Sequence, residues 1–392
     1  MVKKILILSY NYYPDLSPAS YRIKSLIEEF EKNHRNIKIT LLTTTPIRYD
    51  LNYKKIKSEY LKENIEIIRF KIPKKNFIIF NSHTQYLLYF FKVLFFCRNK
   101  KYDLVFSTTS KLMTGFLGAL ISKYLNAKFY LDIRDIFYET IKYNFSKSIF
   151  IKYYLFFIKK IENYALNSCS SLSINSEGFY NYFKMHYPDR EIDIFTNGID
   201  NKFLLQSWKK NNFEKKINVL YAGNLGNGQA LHKIIPELVK LLNDNIKFKI
   251  IGSGNKKKIL YEKLEKLKIY NYELIAPVSQ EILINEYLNS NILFLHLDAL
   301  DVYKSVLPSK IFEYACTGRP IVAGVSGYSS EFLIKNISGS YVFEPCDHLS
   351  AAKIINSIDK FSFNRENFKK KFLRTEISSN FVKKIISTLN DK

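Results

Sequence analysis

The chain of 392 residues has only four cysteines, Cys97, Cys169, Cys316 and Cys346, far apart and without a CxxC pair. That spacing offers neither a disulfide framework nor a structural zinc site, and it fits a reduced, cytosolic setting. Long hydrophobic runs are also lacking. The longest, Tyr86 to Cys97, is interrupted by Lys92 and falls short of the roughly 18 residues a spanning helix requires. The opening MVKKILILSYNYYP has an apolar run only from Ile5 to Leu8 before a tyrosine-rich turn, so it does not read as a secretion signal. There is no zinc-finger spacing, arginine-rich block or RNP-type aromatic motif, which argues against a nucleic-acid partner. No DxD motif is present. Asp298 and Asp301 stand as DxxD in a loop, and no metal or other cofactor is expected.

Acidic residues are few. Against 60 lysines and arginines there are 36 aspartates and glutamates, a formal net charge of +24. Such a chain calls for an anionic partner, and lysines spread along the sequence favour acidic lipid and phosphorylated sugar substrates over nucleic acid. What is abundant is aromatic: 29 tyrosines and 31 phenylalanines, within a hydrophobic share of 47%. At roughly 100–200 residues per domain, the length predicts two domains, each with its own core.

Short apolar runs recur at Ile5–Leu8, Ile37–Leu42, Ile65–Phe70, Leu104–Ser107, Phe129–Leu131 and Leu172–Ile174. Helical patterns lie between them, the first capped by Ser20 and running to about Asn33. This alternation predicts a doubly wound α/β sheet with ligands at the carboxyl ends of its strands. Asn197-Gly198, within FTNGID, predicts a positive-φ turn that closes the first domain near Asp200. The lysine-rich stretch Asn201–Lys216 reads as a linker, and strands resume at Ile217–Tyr221, Phe248–Ile251, Ile292–Leu295 and Ile321–Ala323. A last helical region spans Asn364 to Leu389, with a possible break at Ser378 and Ser379. The expected organisation is 1–200, 201–363 and a terminal helix over 364–392.

Two helical segments are unusually greasy for a sheet-covering role. Thr84–Arg98 is followed by Lys100 and Lys101, and Ser148–Ala165 sets Lys152, Lys159 and Lys160 on one face among Phe, Tyr and Ile. Basic, aromatic helices suit a membrane interface, with lysines meeting anionic headgroups. Packing on the sheet is the competing reading.

The stretch LPSKIFEYACTGRPIVAGVSG, Leu307 to Gly327, carries the most chemistry. Pro308 suits the first position of a helix, and Gly318 suits its end. Lys310 and Glu313 are three apart and so share a face. A cation near a helix start, with the Ser309 region N–H groups, suits a phosphate. A carboxylate one turn on can accept two hydrogen bonds from a ribose diol. Upstream, AGNLGNGQALHKII places Gly223, Gly226 and Gly228 where backbone can approach a ligand, with Gln229 expected to open a helix. Phe248–Ile251 runs into Gly252-Ser253-Gly254.

Together with DIRDIFYE (Asp132–Glu139), these segments resemble the family-four retaining glycosyltransferases, and most nearly the branch that builds bacterial capsule and O-antigen polysaccharides. The resemblance spans nearly the whole chain. It implies two Rossmann-like domains facing across a cleft (the GT-B fold), with the C-terminal helix crossing back to the first. It implies sugar transfer, with retention, from a nucleoside-diphosphate donor, UDP being the expected nucleotide, to a polyprenyl-diphosphate-linked glycan. The enzyme would work at the cytoplasmic face of the membrane, bound peripherally to an anionic surface. Carried over residue by residue, Arg134 and Asp135 sit at the reacting sugar or acceptor. Gly223, Asn224, Gly226, Gln229, Gly252, Gly254, Ser309, Lys310 and Glu313 sit at the donor, and Lys310 acts on the leaving diphosphate. The sequence departs from the family twice. Pro18 and Ala19 stand where a Gly-Gly pair is usual, and the first of two signature glutamates is replaced by Ser305. Those departures keep a second reading open, a non-catalytic sugar-nucleotide-binding or membrane-scaffold subunit. A sugar-nucleotide epimerase on the same fold is a third, without a pair of acid–base carboxylates to support it.

Overall fold

A computed structural model describes residues 2–46, 59–73, 82–109, 111–144, 149–208 and 216–391. The chain forms two compact units, Met1–Asn197 with Arg374–Lys392, and Gly198–Leu373. Residues 209–215 of the expected linker, and Ser148 at the head of the second greasy segment, lie outside the described residues.

Unit 1 runs β1 (Lys3–Leu8), α1 (Pro18–Asn33), β2 (Ile37–Thr44), β3 (Glu59–Lys62), β4 (Ile65–Phe70), α2 (Ser82–Cys97), β5 (Leu104–Thr108), α3 (Leu112–Leu125), β6 (Lys128–Ile133), α4 (Phe137–Asn144), α5 (Ile149–Ser168), β7 (Ser171–Ile174), α6 (Tyr180–His186) and β8 (Ile192–Ile194). Its sheet has the order β3-β4-β2-β1-β5-β6-β7-β8. All pairings are parallel except that of β3, which runs antiparallel along β4. Unit 2 follows with α7 (Asn201–Leu204), β9 (Ile217–Asn224), α8 (Leu231–Lys240), β10 (Ile246–Ser253), α9 (Lys257–Lys266), β11 (Tyr272–Ile275), α10 (Gln280–Leu288), β12 (Ile292–His296), α11 (Lys310–Cys316), β13 (Ile321–Gly324), α12 (Tyr328–Asn336), β14 (Ser340–Phe343), α13 (His348–Ser357) and α14 (Glu366–Lys371). Its parallel sheet has the order β11-β10-β9-β12-β13-β14. The chain then returns to unit 1 as α15 (Arg374–Asn390).

Central strands buried on both faces read as unbroken apolar runs. The second half of β1 and all of β5 are buried. In unit 2 the two-residue period of the strand divides the core. Val219 and Tyr221 of β9 join Phe248, Ile250 and Phe294 on one face, whereas Leu220 and Ala222 join Ile251, Leu293 and Leu295 on the other.

Helix α1 begins two residues before the expected cap. Ser17, not Ser20, is its N-cap, accepting from the Ser20 amide at 3.1 Å, with Pro18 in the first turn. Proline fits there because its missing N–H would be unpaired anyway. Ile23, Leu26, Ile27 and Phe30 then line the buried stripe, the 3.6-residue period of an amphipathic helix. The expected last helical region is two helices. Helix α14 belongs to unit 2 and α15 to unit 1, and the chain passes between the units at Asn197/Gly198 and Leu373/Arg374. Gly198 has φ 65°, the positive-φ turn expected there. Ser378 and Ser379 sit inside α15 without breaking it. Ser378 hydrogen-bonds Ser25 of α1 at 2.8 Å, and Phe381, Val382, Ile385 and Leu389 complete the core of unit 1.

One buried carboxylate holds this unit together. Asp132, at the end of β6, accepts from Arg22 Nε and Nη2 (3.1 and 2.9 Å), Thr108 Oγ1 (2.8 Å) and Ser173 Oγ (3.0 Å). Arg22 Nη1 also donates to the carbonyls of Phe195 and Thr196, and the guanidinium lies 4.7 Å from the ring of Phe381. Helix α1, strands β5–β7, the segment after β8 and α15 thus share one anchor. Removing one partner of a buried ion pair leaves an uncompensated charge. Asp132→Ala is expected to cost unit 1 about 3–5 kcal/mol, read as a lowered urea midpoint, and an unchanged midpoint would refute that role.

Candidate functional site

In unit 2 the chain moves from β9 outward to β10 and β11, then restarts at β12 and moves the other way. In open α/β sheets ligands bind outside the carboxyl ends of the strands where the order reverses, because the crossovers there leave a crevice. The turn from Gly223 to Gln229, the turn from Gly252 to Gly254, the segment from His296 to Asp298, and α11 all converge on that end of the sheet.

Gly223 and Lys310 approach each other closely. Gly223 has φ 154°, and a Cβ added there would fall on the Lys310 ammonium. Glycine is favoured there by the backbone conformation, and its missing side chain leaves the space the ammonium occupies. The ammonium also lies 3.5 Å from the Tyr221 hydroxyl and 5.0 Å from that ring's centroid, a cation–π arrangement. Tyr221 in turn donates to the Asn224 carbonyl at 2.7 Å. Gly252, at φ 155°, allows a second close approach, since a Cβ there would strike the Gly223 carbonyl. Leu225 N donates to Ser253 O and Lys256 N to Leu225 O, both at 2.9 Å, so the two glycine turns are tied together. Gly254 lies against Leu225, where a side chain would collide with its backbone.

Pro308 does not open the α-helix as expected. Residues 308–312 make tighter bonds, Ile311 N to Pro308 O and Phe312 N to Ser309 O, and α11 starts at Lys310 with Ser309, half-buried, as its N-cap. Lys310 reaches toward β9, while Glu313 accepts from the Tyr287 hydroxyl at 3.0 Å. Tyr287 is fully buried, and burial together with the nearby Glu313 charge raises its pKa far above the ordinary tyrosine value, so it stays a donor. Tyr314 accepts from the Ala222 amide at 3.3 Å and packs edge-on to Tyr287. At the other end of α11, buried Arg365 donates to the carbonyls of Tyr314 and Ala315 and, at 2.8 Å each, to those of Ser338 and Arg319. A cation suits a helix C-terminus, where carbonyls lack partners. Tyr221, Tyr287, Tyr314 and Arg365 thus fix Lys310 and Glu313. Only Tyr314 lies in a stretch the sequence singled out for its chemistry; Tyr287 and Arg365 lie outside every motif, and the one signal for the tyrosines was their high count.

Gln229 does not open α8. A 3-10 turn covers Asn227–Gln229, Ala230 follows at φ 47°, and α8 begins at Leu231. Asn224 Nδ2 donates to Gln229 Oε1 at 2.8 Å, which closes the loop on itself around Gly226. His296 Nδ1 donates to the Gln229 carbonyl at 2.7 Å, and its Nε2 accepts from Cys346 N at 2.9 Å. Those partners select the neutral Nδ1–H form, and burial lowers the imidazole to about 4. Lys233 Nζ bonds both oxygens of buried Asp298 at 2.8 Å, and Lys304 pairs with Asp301 at 2.8 Å. Among the described residues no three His, Cys, Asp or Glu side chains gather as metal ligands would.

The remaining expected site residues lie in unit 1. Arg134 is buried. Its amide donates to Thr109 Oγ1 and its Nη2 to Asn197 Oδ1 at 3.2 Å. Desolvation, then the neighbouring Arg22, lowers it to about 10. Asp135 is exposed, while the protein mass around it raises its carboxyl to about 6 against the pull of Arg134. Lys152 and Lys160 are exposed on α5. Lys159 does not share their surroundings, because it pairs with buried Glu162 at 3.0 Å and lies 5.1 Å from the Tyr138 ring.

Comparison with known proteins bears on both units. Residues 203–372, within unit 2, match the model of the glycosyl transferases group 1 family. No curated protein matches the chain. Over its whole length the chain has the GT-B fold, two Rossmann-like domains, in common with several crystal structures. HepE of Anabaena in complex with UDP-glucose is 14% identical, with 98% of this chain and 97% of that one covered and a TM-score of 0.61. The lipopolysaccharide outer core galactosyltransferase WaaB is 13% identical, with coverage of 98% and 99% and a TM-score of 0.63. An α,α-trehalose-phosphate synthase (UDP-forming) from Burkholderia xenovorans is 8% identical, with coverage of 99% and 100% and a TM-score of 0.69.

His296 gives this unit a pH dependence of known sign. Its folded pKa lies below the ordinary 6.5, so between those values the unfolded chain binds a proton that the fold excludes. The stability it contributes is whole above 6.5 and lost as pH falls toward 4. The difference in melting temperature between the wild type and His296→Gln is expected to shrink from about pH 7.5 to about pH 4.5. A difference that stays constant would show that His296 is not held neutral.

Proposed function

We propose that the protein is a retaining glycosyltransferase that moves a sugar from a nucleoside-diphosphate donor, UDP-linked by expectation, to a glycan on polyprenyl diphosphate during bacterial capsule or O-antigen synthesis. The observation that carries the donor half is the Lys310 ammonium seated against Gly223, beside two glycine turns at the strand-order reversal. That arrangement lies in the segment matching the group 1 family. Neighbours crystallised with UDP-glucose and UDP support the nucleotide. On this reading unit 2 binds the donor and unit 1 the acceptor.

The chemistry follows from charge. As the anomeric carbon–oxygen bond to the diphosphate breaks, negative charge grows on the leaving group and the sugar becomes oxocarbenium-like. Lys310 and the backbone of the Gly226–Gln229 turn stabilise that growing charge more than the ground state. Glu313, oriented by Tyr287, accepts from the ribose hydroxyls. Arg134 and Asp135 face the reacting sugar or acceptor hydroxyl, and the leaving phosphate takes the acceptor proton on the same face.

Mass spectrometry of the protein with a panel of nucleotide sugars and polyprenyl-diphosphate acceptors tests the whole reading. Sugar added to the acceptor with release of nucleoside diphosphate is expected, and donor binding without transfer would favour a non-catalytic subunit. Glu313→Gln should weaken UDP binding by about 1.5–3 kcal/mol, the scale of a lost charge-assisted hydrogen bond. Lys310→Ala should lower kcat more than it raises donor KM. An unchanged UDP dissociation constant in the first variant would remove Glu313 from the ribose site. A pure KM effect in the second would limit Lys310 to ground-state binding.

The membrane assignment rests on α2, α3 and α5, which form one layer joined by Phe90, Phe116 and Tyr164. Outward-facing Leu87, Phe91 and Phe95 recur every fourth residue along α2, and Tyr153, Phe156 and Phe157 are exposed on α5 beside Lys152 and Lys160. Phe95 is 74% exposed. Among the described residues no helix is long and apolar enough to cross a membrane. An interfacial position buries the rings and leaves the lysines at anionic headgroups, about 1 kcal/mol each. Because Lys159 is paired with Glu162, the informative variant is Phe95→Ser, Phe157→Ser, Lys152→Glu and Lys160→Glu combined. It should lose salt-sensitive binding to phosphatidylglycerol vesicles while still binding UDP. Co-sedimentation equal to the parent would rule this face out.

A further inference from the structure

Unit 1 has its own reversal of strand order, between β1 and β5, since β2 and β4 lie on one side and β6 to β8 on the other. The same crevice rule applies there. Three tyrosines pack together at this point, with Tyr10 5.3 Å from both Tyr86 and Tyr89. Tyr89 donates to the Leu42 carbonyl at 2.9 Å. The hydroxyls of Tyr10 and Tyr86, and Oγ1 of Thr114 in the first turn of α3, make no well-formed hydrogen bond among the described residues. All three residues are more than nine-tenths buried, at 2%, 4% and 0% exposure. Tyr86 and Thr114 stand close enough for a loose hydrogen bond between their hydroxyls, one that falls short of good geometry, so the Tyr10 hydroxyl is the atom of the three with no such neighbour. Folded proteins leave few buried polar atoms poorly paired, and the Tyr10 hydroxyl beside this loosely bonded pair calls for a ligand.

The surroundings say what kind. Helix α3 has fourteen residues, no side-chain cap from its N-cap Lys111 and no acid in its first turn. The first amides of a helix lack intrahelical partners and favour an anion. The Lys111 ammonium stands 4.4 Å from the Tyr10 ring centroid and 5.6 Å from that of Tyr86. The charged groups on the neighbouring segments are Asp15, which acts on Tyr10, and Arg69, which Asp15 balances. Hydroxyls, helix amides and an ammonium all donate, and a tetrahedral oxyanion accepts from all of them.

We propose that Tyr10, Tyr86, Thr114, Lys111 and the start of α3 form a phosphoryl-binding site that holds the phosphate of a polyprenyl-phosphate-bearing acceptor. Assigning that phosphate to the acceptor rests on the glycosyltransferase reading, whereas phosphoryl binding does not.

The test uses the full chain with UDP at saturation, so that the unit 2 site is filled. Farnesyl phosphate and inorganic phosphate are then titrated by calorimetry. Farnesyl phosphate is expected to bind with one further equivalent. Tyr10→Phe with Tyr86→Phe should weaken it by about tenfold or more, since each hydroxyl bonds a charged group, while UDP affinity stays unchanged. The rings remain, and with two poorly paired hydroxyls gone the unliganded variant should melt no lower than the parent. Lys111→Gln should weaken binding as well. If farnesyl phosphate does not bind, or binds the double variant equally well, the site is refuted and trapped water fills the gap. If inorganic phosphate binds as tightly, the lipid-borne source is refuted. Loss of UDP binding in the parent would instead count against the function proposed for unit 2.

Discussion

A parallel sheet must carry its chain back across one face or the other, and wherever it changes direction it leaves two strand ends uncovered. That constraint organises both units. In unit 2 the opening lies between β9 and β12, and the glycine turns, His296 and α11 gather around it. In unit 1 it lies between β1 and β5, and Tyr10, Tyr86 and the start of α3 gather there. Open α/β sheets bind ligands at such openings, because there the backbone is free of a crossover.

Around each opening the polar groups are placed by buried aromatics rather than by ion pairs. Lys310 is held by Tyr221 and by the space Gly223 leaves, and Glu313 by Tyr287. A phenol is well suited to this. Its ring packs like any core side chain, and its hydroxyl reaches out to orient a charge without neutralising it. Asp298 shows the contrast, because Lys233 meets both its oxygens and balances its charge. The abundance of tyrosine in a lysine-rich chain thus has a structural use.

The Asp132 anchor plays another part. It ties the returning α15 to α1 and to three strands through Arg22, so the core of unit 1 is complete only with α15 in place. Asn197 adds to this junction, its side chain accepting from Arg134 and its carbonyl from Arg374. The expected active-site pair Arg134-Asp135 therefore grows directly from a structural hub, with the arginine buried and the aspartate exposed.

The sequence alone determined the α/β class, the two sheets and most central strands, because buried parallel strands are short unbroken apolar runs bounded by turn residues. It also marked the glycine turns and the Lys310–Glu313 helix, because each signal lies within one short stretch. It did not reveal the edge strands β3, β8, β11 and β14, whose three or four residues are too few to stand out as an apolar run. Nor did it show that Lys310 and Glu313 diverge, that Gln229 stops short of α8, or that Lys159 turns away from its neighbours to Glu162. Those outcomes depend on partners between 3 and 92 positions away, such as Tyr221, Tyr287, Tyr314 and Glu162. A periodic pattern records which face of an element is buried, and only the packed fold decides which side chain meets which.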